Sequence, residues 1–572
     1  MIVKNESRVL RRCLESARPW VDEMIVVDTG STDETVAIAR ELGARVIDWT
    51  WRDDFAAARN ESLRHATRDW ILVLDADEML VEGAGPRLRA ACAGPADTVA
   101  YCIKIICPRE GDGGLTRLNW FPRLFRNLPG VRFEGVIHEQ VVGSLAGRGR
   151  VERADVEVEH EGYTLSADRM AAKAERNLAL LQRQLQQDRG YAPGWFQLAE
   201  TYVLLGRPDE AIDAYRRCLG LLQTSRLTLP PSVVAVALQN LGATLIGRGQ
   251  REEGIRSIEA ALAVAPRMAP AHVHLGHAAL ADQRWADAER HFEQALAIVS
   301  TPDADGEYEA SPWLIHFLRG CARTRQEKFA EAIASFEAGL AIHPGHAEAL
   351  WLLALTAAHA REWARSLDAL DRLRDLRRDD FPYHAQRAQA LVALGRHAEA
   401  AASAVTALER DPESVPMLGL AAETTARAGR PGEAAALYER MAARAADPIP
   451  AWLAAAHCHE EAGARESMME IYRRAVDRAP DSPDVLFALG SACLRGGALE
   501  AAEDCLAQAV QQRPERADYR INHVLCLIKQ GELERAAAVL DEIEGRWPGL
   551  PRLTELRELL VRLRAALPAA AS

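Results

Sequence analysis

Residues 23–49, EMIVVDTGSTDETVAIARELGARVIDW, contain a short apolar run, a turn, an amphipathic stretch and a second short apolar run. Read by period, "EMIVVDTG" is a strand that closes on Asp28, "STDETVAIARELGA" is a helix, and "RVIDW" is the next strand. Two strands joined by a helix form a right-handed crossover in a parallel sheet. The alternation continues in both directions. Upstream, "MIV" and "NESRVLRRCLESA" read as strand and helix; downstream, "FAAARNESLRHA" reads as a helix leading into the strand "WILVLDADE". Residues 1–163 are therefore expected to form an α/β domain, a mostly parallel sheet covered by helices. Ligands of such sheets gather beyond the carboxyl ends of the strands. Asn5 and Glu6, Asp28 to Asp33, and Asp75 to Glu78 all stand there.

The last of these clusters poses a physical problem. In "DWILVLDADEML", residues 69–80, an apolar strand runs into Asp75, Asp77 and Glu78. Carboxylates that close repel one another unless a cation or a hydrogen-bond network compensates them. A divalent metal holding a phosphorylated ligand is the compensation expected here.

After about residue 165 the strand signals stop, and alanine-rich amphipathic stretches continue to the end. One position recurs at Ala211, Gly254, Ala288, Ala332, Ser366, Ala400, Ala434, Met468, Ala502 and Ala536, and from Ala332 onward the interval is always 34 residues. The two long intervals hold Pro, Ser, Thr and Asp near 220–235 and 300–312, and read as loop insertions or longer helices. A fixed period of this length resembles the tetratricopeptide repeat. Trp195, Leu198, Ala199, Tyr202, Ala211 and Tyr215 fill that family's large and small positions in order, and Pro266, Pro344, Pro412, Pro480 and Pro514 stand near unit ends. Small residues let paired helices approach, aromatic residues fill the space between units, and proline stops the second helix. The expected organisation is a catalytic domain over 1–163, a connecting helix over 164–191, about ten repeats over 192–548, and a capping helix and tail over 549–572.

In the first half, "MIVKNE", "VDEMIVVDTGSTDETVAIARELGA", "DDFAAARNESL" and "DWILVLDADE" together resemble a family 2 glycosyltransferase with the GT-A fold. The resemblance implies a nucleotide-sugar donor, a UDP-sugar first, and Mn²⁺ or Mg²⁺ as cofactor. It makes "DAD" the family's D-x-D motif, with Asp75 toward the ribose, Asp77 toward the metal and Glu78 in support. It makes Asp28 the carboxylate that reads the base and gives Glu6 a part in holding the nucleoside. "GVIHEQ" resembles the stretch where this fold places its catalytic carboxylate. Glu139 is the expected base, Glu134 the next choice, and His138 a residue that shapes the site. His160, before Gly162 and Tyr163, matches the late histidine that many such enzymes give to the metal.

Other residues are read on their own chemistry. Ser31, Thr32 or Asp33 caps the helix that follows. Arg59 either touches pyrophosphate, or steadies Asp28, or makes a plain surface ion pair. Arg123 and Arg126 are candidates for phosphate or acceptor. His272, His274, His457 and His459 fall on repeat helices with no ligand-like neighbours, so packing or surface roles are expected. The first repeats, residues 165–225, are expected to pack on the small catalytic half and complete an acceptor cleft.

Composition excludes some classes. Acids outnumber bases 82 to 69, a net charge of -13, which argues against a nucleic-acid surface. Ten cysteines without paired spacing read as reduced core thiols. The chain has no signal-like start and no transmembrane run, so it is expected in the cytoplasm, with access to the inner membrane surface as a peripheral protein. The function expected is metal-dependent, inverting transfer of a sugar to an acceptor recruited by the repeats, a protein, a peptide or a cell-surface glycan. The alternative is a tetratricopeptide scaffold with a degenerate transferase domain.

Overall fold

The computed structural model describes residues 1–108, 116–137, 139–160, 167–224, 231–300, 311–377 and 380–566. His138, Gly162, Tyr163 and, of the two expected insertions, residues 225–230 and 301–310 lie outside them. The chain divides into two compact units, residues 1–360 and 361–572.

The first half of unit one is α/β. Its elements run β1 (Ile2–Val3), α1 (Leu10–Ala17), β2 (Ile25–Asp28), α2 (Thr35–Glu41), β3 (Arg45–Asp48), α3 (Phe55–His65), β4 (Trp70–Leu72), β5 (Glu78–Leu80), α4 (Ala84–Cys92), β6 (Thr98–Pro108), β7 (Thr116–Arg126), α5 (Val142–Leu145) and β8 (Arg150–His160). β1, β2 and β3 form a parallel sheet in that order, with Val3 opposite Asp28 and Asp28 opposite Asp48. The crossovers α1 and α2 bury Leu10, Leu14, Ile38 and Ala39 with Val3 and Val26. Parallel pairing recurs between β6 and β8, beyond these three strands. β4 does not extend them; it pairs antiparallel with β7 in a second, mixed sheet of order β4-β7-β6-β8-β5. β6 and β7 form a long antiparallel pair. That pairing supplies β4 with a partner edge, and Ile71 sits opposite Phe125, itself wholly buried.

Helical pairs follow: α6 (Ala167–Gln187), α7 (Ala192–Leu204), α8 (Pro208–Thr224), and further pairs to a final helix Pro551–Ala566. All ten recurrent positions stand at the fourth residue of the second helix of a pair: Ala211 in Pro208–Thr224, Ala400 in His397–Arg410, Ala536 in Leu533–Arg546, and the rest alike. All ten are buried. Met468 shows that this position tolerates bulk, staying 6% exposed. Pro266, Pro344, Pro412, Pro480 and Pro514 each come two residues past a helix end, where a missing N–H costs nothing.

A second regularity holds the paired helices together. Small residues in the first helix face large ones sixteen residues later. A Cβ on Gly242 would sit 2.5 Å from Ile258, on Gly276 2.5 Å from Phe292, on Gly320 2.6 Å from Phe336, and on Gly490 2.8 Å from Leu506. Each contact is too short for any side chain, so the large partner occupies the space that the glycine leaves. In unit two the final helix buries Leu553, Leu556 and Leu560 with Leu540 and Ile543.

Candidate active site

The carboxyl ends of β1 and β2 carry loops that fasten to each other. Asn5, in the left-handed region at φ 59°, donates its N–H to Ser31 Oγ at 2.9 Å, and its side-chain oxygen accepts from Thr32 N at 2.8 Å. Glu6 donates its backbone N–H to Thr35 Oγ1 at 2.7 Å. Asp33 accepts from Thr35 N at 3.0 Å and Ser7 N at 3.2 Å, so it steadies the start of α2 and the neighbouring loop together. The Thr35 hydroxyl bond, first among these, holds the Asp33 carboxyl below its usual range. Asp28 is 6% exposed and accepts from Gly30 N at 3.2 Å and Ser31 N at 3.1 Å. Gly30 at φ 104° makes that return turn possible.

Beyond β4 lies the charged corner. Asp75 is held from both sides: Arg59 donates to Oδ1 at 2.6 Å and Arg123 to Oδ2 at 2.9 Å. The same Arg123 Nη2 donates to Glu78 Oε1 at 2.8 Å, and the other oxygen of Glu78 accepts from Asp75 N, also at 2.8 Å. Arg59 Nε pairs with Glu139, eighty residues away. Asp77 faces His160, Oδ2 to Nε2 at 3.1 Å. Burial opposes the charge of Asp75, but Arg59 and then Arg123 outweigh it and hold the carboxyl well below its ordinary range. Burial, and then the charge of Asp75, push Glu78 the other way, against Arg123 and His160. Burial also opposes Arg59, and Asp75 and Glu139 more than restore its charge.

Four carboxylates therefore share two guanidinium groups and one imidazole. The compensation expected for these acids is a divalent metal holding a phosphorylated ligand; for Asp75 and Glu78 the structure also supplies arginines of this chain. Asp77 is left with His160 as its partner, and the two side chains are 30% and 19% exposed. One carboxylate oxygen and one imidazole nitrogen at that spacing suit a divalent cation that keeps the rest of its shell for phosphate and water. Among the described residues no group of three His, Cys, Asp or Glu is placed to hold an ion.

The arginine readings also change. Arg59 is 8% exposed, so it makes no surface ion pair, and its carboxylate partners are Asp75 and Glu139 rather than Asp28. Its Nη1 is buried and has no hydrogen-bond partner among the described residues. Arg126 is taken up structurally: it donates to Thr98 O at 2.9 Å and lies over Trp70, 4.6 Å from the ring centre. Arg123 reaches the two acids rather than open solvent.

Sequence reasoning missed what fixes Glu139. Asn60, beside Arg59 on α3, forms a two-way amide link with Phe133, accepting from its N–H at 2.7 Å and donating to its carbonyl at 2.9 Å. Glu134 and Gln140 then exchange both backbone bonds at 2.9 Å, closing the loop. The run "AARN" signals a helix, but nothing in it signals a partner seventy-three residues on. Glu134, the second choice for a base, pairs with Arg132 and is 44% exposed.

With this geometry in view, comparison with known proteins is informative. Residues 1–148 match the family described as glycosyl transferase family 2. Residues 192–221, 240–305, 317–381, 386–448, 449–492 and 499–551 match tetratricopeptide repeat families. The chain is 47% identical over 145 residues to a TPR repeat-containing protein of Synechococcus elongatus, which covers 25% of this chain and 35% of that protein. It is 29% identical over 224 residues to the SPbeta prophage-derived glycosyltransferase SunS of Bacillus subtilis, covering 38% and 52%. The chain thus spans a third to a half of the length of these curated relatives. Among solved structures, YrrB, a TPR protein with an unusual peptide-binding site, aligns at 18% identity and TM-score 0.29 over 36% of this chain and 95% of that one. No helix among the described residues is long and apolar enough to cross a membrane. The chain joins a family 2 glycosyltransferase domain to an array of tetratricopeptide repeats.

Proposed function

We propose that the N-terminal domain moves a sugar from a nucleoside diphosphate sugar, a UDP-sugar in the first instance, to a hydroxyl of an acceptor recruited by the repeats. One observation carries this reading. Asp75, Asp77, Glu78, Arg59, Arg123, Glu139 and His160 come from five separate stretches of chain and converge on one corner. A structural core gains nothing from gathering so many charges, because desolvation offsets most of the attraction.

Asp28 reads the base, Glu6 helps to hold the nucleoside, and Asp75 faces the ribose. Asp77 and His160 would hold Mn²⁺ or Mg²⁺, which when bound offsets the charge that builds on the departing diphosphate. The unpartnered Arg59 Nη1 is a donor in search of an acceptor, and a donor phosphate supplies one. Phosphate arriving there competes with Glu139 for the same guanidinium. Glu139, so released, takes the proton of the acceptor hydroxyl as that oxygen attacks the anomeric carbon, giving inversion. The repeats bring the acceptor, a protein, peptide or glycan, beside this corner.

A scaffold with an idle transferase domain is the second reading, and the arginine clamp on Asp75 favours it. Donor hydrolysis in Mn²⁺, compared between the natural chain and Asp77→Ala, separates the two. Turnover that Asp77→Ala abolishes supports the enzyme; absence of turnover with every nucleotide sugar supports the scaffold. A thermal-shift screen identifies the donor, since ligand at a hundred times its Kd stabilises by about 2.7 kcal/mol.

A further inference from the structure

The loop that carries Glu139 is anchored at two ends by different parts of the chain. On one side Asn60 and Arg59 of α3 hold Phe133 and Glu139. On the other, Phe55 N donates to Val136 O at 2.8 Å, and the next residue, Ile137, leaves the α/β domain altogether. Its side chain is 4% exposed and joins the apolar cluster of the first helices behind the domain, with Leu178, Leu181 and Leu185 of α6 and Leu198 of α7. Phe55 and Tyr191 pack against the same cluster, and Arg176 of α6 lies 5.7 Å from the centre of the Phe55 ring. Gly135, at φ 102°, turns the chain between the two anchors, and a Cβ there would come within 3.6 Å of the Tyr191 hydroxyl and 3.7 Å of Glu139 Cα.

We infer that Ile137 is a positioning residue: by plugging into α6 and α7 it sets the place of Glu139, so the first helices behind the domain form part of the catalytic apparatus without touching substrate. This rests on the reading of Glu139 as the base. The physical reason is leverage. A single residue separates a side chain locked in a close-packed core from a carboxylate that must be placed within a fraction of an ångström, and close-packed interiors transmit displacement rather than absorb it. Among the described residues the loop carries one short β-bridge, Glu134 with Gln140, and the outside anchors add to it.

The test uses the full chain with Mn²⁺ and UDP-glucose as the probe donor, or the donor found by screening, and follows two readouts in Ile137→Ser, Ile137→Leu and the control Leu353→Ala. Leu353 is equally buried, in the helix Ala347–His359. Ile137→Ser should speed amide exchange at Glu134 and Gln140 at least tenfold. It should lower kcat at least tenfold, with the donor KM within twofold. Ile137→Leu should restore both, and Leu353→Ala should change neither. Unaltered exchange in Ile137→Ser, or an equal loss of kcat in Leu353→Ala, overturns the inference. If the natural chain turns over no donor, the transferase reading has failed instead, and exchange at the loop still decides whether Ile137 anchors it.

Discussion

The corner around Asp75 and the repeat helices both bring distant or facing side chains into close contact, yet they do so by opposite chemistry. Within each of these helical pairs a small residue meets a large apolar one from the same pair: Gly276 under Phe292, Gly320 under Phe336. In the corner the side chains that meet are charged, and their ion-pair partners are brought from elsewhere, Arg59 to Glu139 and Arg123 to Asp75. Apolar packing degrades gradually when one member changes. An ion network does not, because removing one member strands the charges of the rest. The paired helices use the first device, and the proposed active site uses the second.

The comparison can be broken at several points, taken from the largest effect to the smallest. Asp77→Ala should lower donor turnover by about a thousandfold or more, as removal of a charge-stabilising group does. Because Asp77 is partly exposed, its thermal midpoint should stay close to that of the natural chain. Steady-state hydrolysis beside a melting curve checks both. Arg59→Ala should instead destabilise the domain by about 3–5 kcal/mol, since it strands the buried Glu139 without its ion-pair partner and leaves Asp75 with Arg123 alone. Urea unfolding measures this, and Arg59→Ala with normal stability would show that the corner is not a network at all.

The repeats should answer more mildly. Ala400→Leu places three extra carbons at a fully buried position and should cost roughly 1–3 kcal/mol by overpacking. Met468, at the corresponding place, shows that the stack can adapt, so the lower end of that range would sharpen the point.

Acid provides the last probe. Burial, then His291 and Arg290, lower His272 to about 4. Its folded pKa lies below the unfolded value near 6.5, so the unfolded chain takes up the proton first, and the stability due to neutral His272 is lost as pH falls from about 6.5 toward 4. The loss should reach about 2 kcal/mol by pH 5, and His272→Leu should flatten that part of the curve. Asp75 behaves differently. Its folded pKa is depressed, so its contribution persists through that window and disappears only below about pH 4, as protons outcompete Arg59 and Arg123. Circular dichroism against pH should show the repeats weakening before the corner does.

These contrasts also explain what could be read beforehand. The repeat positions were legible because their partners are local. The small residue near the start of the second helix and the proline two residues past that helix's end lie within one 34-residue unit. The β-α-β-α-β start was legible for the same reason, each crossover being short. The direction of β4 was not. An apolar strand of three residues carries no mark of whether its partner edge runs with it or against it, and β7 lies more than forty residues further on.

In the corner, the acidic cluster at a strand end pointed to Asp75, Asp77 and Glu78, the family resemblance added Glu139 and His160, and Arg59 was open to three readings. Sequence alone did not decide who neutralises whom. Arg59 might as well have met Asp28, and Arg126 was as good a candidate as Arg123, until the sheets put one guanidinium between Asp75 and Glu139 and turned the other onto Trp70. Periodicity and residue size act over one helical pair and can be counted along the chain. Ion pairing acts over a few ångströms in space, and only the folded backbone determines which charges come that close.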